Sequence, residues 1–206
     1  MKENTETLTG TLVDFGCGKK PYEKLFSKAE KYIGVDIDDR GHSHKNEHID
    51  VYYDGDSIPL EDNYADSMLS SEVFEHVDNL DEIVKELKRI LKPNGCLLVT
   101  VPFVFFEHEM PYDFRRLSLN GLELLLKNHN FEIVNKHKST SDIETIIQIV
   151  GFQFFLIIER VPKILRILLT FLFIAPINII GVILNLVLPN RKKFYLNSII
   201  LAKNIK

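Results

Sequence analysis

The chain has 206 residues, enough for one ordinary domain and an additional element. With 45% hydrophobic and 26% charged residues it is composed like a globular protein, which excludes a low-complexity or collagen-like chain. Residues 159–206 carry eight Lys or Arg and one acid, Glu159, leaving about −11 on the chain before them; an apolar, basic tail behind an acidic body points to an anionic membrane surface and away from nucleic acid.

The first ten residues, MKENTETLTG, are polar, so no signal peptide is expected. Apolar runs follow at Thr11–Phe15, Lys31–Ile37, His48–Tyr53, Ala65–Ser71 and Cys96–Phe103. Between the last two, Leu80, Ile83, Val84, Leu87, Ile90 and Leu91 recur at helical spacing and predict a helix over Asn79–Lys92. Its first turn holds Asp81 and Glu82 and its last Lys88, Arg89 and Lys92, which suits the helix dipole. Short buried runs alternating with helices predict a parallel sheet with helices on both faces. A helix at Leu119–Asn128, a strand at Phe131–Lys138 and a strand at Asn197–Asn204 complete the pattern. Cys17 and Cys96 form no CxxC motif, which fits a reducing cytosol.

Gly16 and Gly18 follow the first strand, where the absence of a Cβ lets backbone approach a ligand. Asp36 ends the second strand, where an acid can accept ribose hydroxyls. A lone GxG also suits a dinucleotide, but Pro21 stands where the third glycine of that fingerprint would be and disfavours NAD.

LVDFGCGKKPY, YIGVDID, DGDSIPLEDNYADSMLSSEVFEHV and LKRILKPNGCLLVTVPF stand in the order and spacing of class I S-adenosylmethionine-dependent methyltransferases, and the chain resembles their small type-11-like branch, densely over Thr11–Phe103 and more loosely to Lys138. The resemblance implies an α/β, Rossmann-like, seven-stranded, mostly parallel sheet, its last strand antiparallel between the fifth and sixth, and S-adenosyl-L-methionine as cofactor. By the same resemblance Asp14, Gly16 and Gly18 cradle the methionine part, Asp36 binds the ribose, Asp54 and Gly55 lie at the adenine, and Ser70 lies near the sulfonium. Many members have a glycine or small residue near Lys20; Lys19 and Lys20 here suggest a tighter or differently charged mouth.

Methyl transfer needs alignment of the acceptor with the methyl carbon and, for a hydroxyl, a base. Two segments at the ligand-binding edge offer one. SSEVFEHVDN holds Glu72, Glu75 and His76; PFVFFEHEMPYDFRRLS holds Glu107, His108, Glu109, Tyr112, Asp113, Arg115 and Arg116. His108 is the favoured base and His76 the next. Glu109, Tyr112, Asp113, Arg115 and Arg116 are assigned to the acceptor, with an arginine for an anionic group. In both segments the competing reading is purely local: loop shaping, helix capping and Asp–Arg pairing. No HxxxH or paired-carboxylate spacing points to a metal, and none is expected.

Residues 141–195 read as an apolar helical insert in a domain made of 1–140 and 196–206. Ile167–Leu188 is 22 residues without a charge, long enough to cross a bilayer. Strands before and after it share one sheet, so a single crossing is excluded. The alternatives are a re-entrant fold at Pro176, pairing with Ile146–Ile158 as two crossings, or helices lying in the interface or against another subunit, as in a homodimer. Asn178 and Asn185 would be costly in lipid, which favours shallow or re-entrant insertion. Basic residues at both ends favour the cytoplasmic side. The expectation is a peripheral or monotopic enzyme on the inner face of a membrane, O-methylating a lipid-linked or surface-glycan sugar, or another small acceptor near the membrane. The competing readings are a non-catalytic cofactor-binding scaffold, an NAD-dependent oxidoreductase, and a soluble helical subdomain in place of the anchor.

Overall fold

A parallel strand covered on both faces buries its side chains on both, so the central strands are rich in buried apolar residues. The computed structural model, which describes residues 2–38, 48–189 and 191–205, forms strands at β1 (Gly10–Phe15), β2 (Ala29–Ile37), β3 (Val51–Tyr53), β4 (Ala65–Ser71), β5 (Leu91–Pro102), β6 (Phe131–Lys138) and β7 (Asn197–Asn204). Their order across the sheet is β3-β2-β1-β4-β5-β7-β6. β1 pairs in parallel with β2 and β4, β2 with β3, and β4 with β5. The last strand lies between the fifth and sixth and runs antiparallel, as the family fold implies.

α1 (Leu80–Ile90) buries Leu80, Ile83, Val84, Leu87 and Ile90, the periodic face seen in the sequence. It stops before the expected Lys92 because Leu91 turns extended and begins β5. Leu91 stands opposite Ala65 and Cys96 opposite Ser67, so Lys92–Gly95 bulge out of the ladder between them. α2 (Leu119–Asn128) adds Leu122 and Leu126, and its N-cap Ser118 accepts from the Gly121 N–H. Both helices pack on one apolar cluster with Val13, Phe15, Met68 and Val99. The other cluster holds Leu8, Leu12, Phe26, Leu69, Leu98 and Leu201. Among the described residues no α-helix contributes to it. The short segments around Leu8 and Phe26 therefore stand where a second layer of helices was expected, because only 13 residues, numbers 16–28, join β1 to β2.

The chain divides into two compact units: Met1–Pro102, Glu107–His137 and Ser198–Lys206 form one, and Phe103–Phe106 with Lys138–Asn197 the other. The second unit is a helical hairpin. α3 (Asp142–Ile158) opens with a capping box in which Ser141 Oγ accepts from the Glu144 N–H while Glu144 accepts from the Ser141 N–H. α4 (Lys163–Leu169), a wide π turn over Thr170–Ile174 and α5 (Ala175–Val187) form one continuous 25-residue helix. The chain does not fold back at Pro176, because that residue sits in the first turn of α5, where its missing N–H costs little. The reversal comes between Ile158 and Lys163 instead. α3 and the long helix pack closely: a Cβ on Gly181 would lie 2.8 Å from Ile147. Phe154 stacks on Phe173 at 6.1 Å. Asn185 is no bare amide, since its oxygen accepts from Ser141 Oγ at 2.6 Å and its nitrogen donates to Glu144 at 3.2 Å.

Candidate active site

Open α/β sheets bind ligands at the carboxyl ends of their strands. There, after β1, the two glycines do different work. Gly16 has φ 74°, and a Cβ on it would sit 2.2 Å from Val73 Cγ2. Only glycine lets this turn lie against the segment that follows β4. Gly18 has φ 46°, and a Cβ there would meet nothing within 4 Å. Its N–H donates to Asp36 Oδ2 at 2.7 Å, and Asp36 Oδ1 accepts from the Ile37 N–H at 2.8 Å. The carboxylate at the end of β2 is thus fixed beside an open turn.

Asp14 is buried and accepts from Tyr32 Oη at 2.6 Å. Burial pushes its carboxyl up to about 6, against the Tyr32 hydrogen bond and with added repulsion from Asp36. Lys20 takes the left-handed conformation at φ 51°, which explains the glycine or small residue common at this position. Its ammonium lies 2.5 Å from Asp50, and its charge also favours the ionised form of Asp14. Asp54 is exposed and accepts from the Asp56 and Ser57 N–H groups at 3.0 and 2.9 Å. Gly55 has φ 103° and its carbonyl accepts from Asn79 at 3.2 Å. Ser70 Oγ is buried without a hydrogen-bond partner.

A second group of side chains gathers just past β4. Phe74–His76 form a short 3-10 turn, one residue from the Val73 that abuts Gly16. His76 Nδ1 lies 2.8 Å from the Tyr112 carbonyl, and its Nε2 lies 3.1 Å from His108 Nε2. Glu75 is 1% exposed and neither carboxylate oxygen is hydrogen-bonded; Oε1 is 3.6 Å from His76 Nε2. Burial, reinforced by the charge of Glu72, pushes Glu75 up to about 8. Asp113 holds the His108 loop: it accepts from the His108 backbone N–H at 3.0 Å and faces His108 Nδ1 at 3.3 Å. Arg116 grips the same carboxylate with both terminal nitrogens, one at 2.6 Å, and holds Asp113 down to about 2.

The two favoured histidines are therefore in contact. Glu75, which the sequence offered with Glu72 and His76 as a source of a base but did not single out, is the third member; its signal was an acid between Phe74 and His76 in a segment leaving the sheet. Both arginines of the segment have partners within the chain. Arg115 donates to the carbonyls of Phe74, Val77 and Asp78 and so ties down the turn that carries His76. Arg116 is committed to Asp113. Glu109 is exposed, with Oε2 3.8 Å from His76 Nε2.

The family model described as a methyltransferase domain matches residues 13–99. A Mycolicibacterium smegmatis protein described as a probable S-adenosylmethionine-dependent methyltransferase is 29% identical over 133 residues, covering 59% of this chain and 52% of that protein. The chain spans about half the length of the curated relatives it matches, from 39% to 55%. Among solved structures, a chain of the Haloferax volcanii complex containing the Trm112 methyltransferase activator is similar at TM-score 0.61 and 16% identity, over 100% of this chain and 88% of that one. Phosphoethanolamine N-methyltransferase 2 from Haemonchus contortus, in complex with S-adenosyl-L-methionine, is similar at TM-score 0.55 and 15% identity, over 97% of this chain and 49% of that one. At these identities the structural likeness is one of fold.

The Asp113–Arg116 pair generates a prediction. A carboxyl held below its ordinary range stabilises the fold above that range and stops doing so as pH falls through its native value. Asp113→Asn is expected to lower stability by about 2 kcal/mol at pH 7. In denaturant titrations at several pH values the difference from wild type should shrink as pH approaches about 2.

Proposed function

We propose that the chain is a class I S-adenosylmethionine-dependent methyltransferase and that it transfers a methyl group from S-adenosyl-L-methionine to a hydroxyl on an acceptor held at a membrane surface. The observation that carries the reading is the contact of Gly16 with Val73. It joins the cofactor-type turn of β1 to the segment bearing Glu75 and His76.

The residues fit this donor. Gly18 opens on empty space, and Asp36 lies beside it with a carboxylate whose roughly four acceptor sites suit vicinal ribose hydroxyls. Asp14 and the glycine turn would hold the methionine end, Asp54 and Gly55 the adenine, and Ser70 Oγ offers a buried oxygen lacking a partner near the end of β4. When bound, the donor supplies a methyl already activated by a positive sulfur. The chain's own work is to align the acceptor oxygen and remove its proton. Glu75, His76 and His108 form the polar centre suited to that proton, with Asp113, Arg115 and Arg116 fixing the segments that carry them.

The hairpin supports an acceptor in or on lipid. In Lys163–Val187 the most apolar window is only 6% buried, and Ile164, Phe171, Leu172, Val182, Leu186 and Val187 are all more than 60% exposed. Such a surface exceeds what soluble monomers leave open. At about 1.5 Å per residue the helix is about 37 Å long, comparable with a bilayer. Lys138, Arg191, Lys192 and Lys193 collect where the hairpin rejoins the sheet, as suits anionic headgroups on the cytoplasmic side. A groove of about 390 Å³ within this unit, lined by Phe105, Phe106, Phe152, Phe155 and Ile174, suits a hydrocarbon chain. A sugar carried on such a chain, or another lipid-borne hydroxyl, is the acceptor class we assign.

Calorimetry with S-adenosylhomocysteine tests the cofactor reading: wild type should bind one equivalent, and Asp36→Ala should bind at least about tenfold more weakly, the cost of about one charge-assisted hydrogen bond. Absence of heat from folded wild type would sink it. Flotation tests the lipid reading. The full chain should rise with anionic vesicles, and Phe171→Asp with Val182→Asp should abolish this while cofactor binding persists; a wild-type monomer that stays soluble beside vesicles without detergent counts against the membrane.

A further inference from the structure

We infer that Glu75, His76 and His108 bind a single divalent transition-metal ion of the zinc type, through one carboxylate oxygen and the two Nε2 atoms. All three ligand atoms lie within 4.8 Å of one another. His76 turns its Nδ1 to the Tyr112 carbonyl at 2.8 Å, an acceptor only, so this nitrogen carries the proton and Nε2 carries the lone pair. His108 turns its Nδ1 to the Asp113 carboxylate at 3.3 Å, which favours the same tautomer. Two lone pairs then face each other across 3.1 Å. That approach is repulsive unless a proton or a metal cation sits between them, and a metal ion would also engage Glu75.

Two nitrogens on one tetrahedral zinc stand about 3.3 Å apart, given bonds of about 2.0–2.1 Å. The observed gap is close to this spacing, and Glu75 Oε1 at 3.6 Å from His76 Nε2 is placed as a third ligand. Glu75 supplies the independent sign: a carboxylate 1% exposed with both oxygens lacking a hydrogen bond, beside two imidazoles. The partners behind the ligands match those that orient metal-bound histidines, namely a backbone carbonyl and a carboxylate that is itself anchored, here by Arg116. Three protein ligands leave a fourth position for water, for Glu109 or for an acceptor oxygen. An acceptor hydroxyl bound there would lose its proton more readily. That role rests on the methyl-transfer reading; the binding of the ion does not.

The test uses the full chain, stripped with chelator and titrated with Co²⁺, whose visible absorption reports a site of low coordination number. Binding of S-adenosylhomocysteine, followed in parallel, shows that each sample is folded and separates failure of this proposal from failure of the cofactor reading. Wild type should take up one equivalent of Co²⁺, displaced by Zn²⁺. His108→Ala and Glu75→Gln should each weaken uptake by at least about tenfold while retaining cofactor binding. If folded wild type takes up no stoichiometric Co²⁺, or if either variant binds it as wild type does, the two histidines share a proton and no metal site exists.

Discussion

One steric constraint organises this molecule. At Gly16 there is no room for even a methyl group, because Val73 occupies the place a Cβ would take. The turn after β1 and the segment after β4 must therefore be built together. β1 and β4 are neighbours in the sheet, paired from Leu12–Ser67 to Phe15–Ser70, so their carboxyl ends already stand side by side. The missing Cβ closes the remaining gap. Asp14 and Asp36 then line one side, and Glu75 and His76 follow within three residues of Val73.

The second side depends on electrostatics. His108 comes from a loop with little regular structure, and its position needs fixing. Asp113 does this by accepting from the His108 backbone, facing its ring and being gripped by Arg116. Arg115 fixes the opposing turn by donating to three consecutive regions of carbonyl oxygen at Phe74, Val77 and Asp78. Two arginines and one aspartate thus hold two histidines in contact. Glu75, deprived of water and of any hydrogen bond, is the strained member of the group. An unpaired buried carboxyl is costly to a fold.

Much of the sheet was legible because its central strands are largely buried and α1 is strongly periodic. β4, β6, β7 and α2 fall on the residues their patterns indicate. The errors lie where tertiary contacts override local pattern. Leu91 belongs to the helix by spacing but leaves it for the strand, since its side chain reaches the same core from an extended backbone. Pro176 looked like a breaker, yet it sits in the first turn of α5, and the π turn before it carries the helix through. Charges were hardest to read. Arg115, Arg116 and Lys20 are all engaged by oxygens far from them in sequence or hidden in a loop, and no periodicity announces such pairing. The convergence of Glu75 and His76 with His108, 32 residues further on, is likewise a product of fold alone.

The hairpin unit is joined to the sheet unit through Phe103–Phe106 as well as through β6 and β7. In sequence, Phe103–Phe106 directly precede the loop that carries His108. We propose that the glycine turn and the histidine segment form one site for methyl transfer. Incubation of the full chain with methyl-labelled S-adenosyl-L-methionine and a membrane fraction tests this most directly. Label should pass to lipid-extractable material with wild type and fail to pass with Gly16→Val, whose side chain would drive the turn from Val73. Wild type that binds the donor yet moves no label to any fraction, or a Gly16→Val protein that labels as well as wild type, would contradict it.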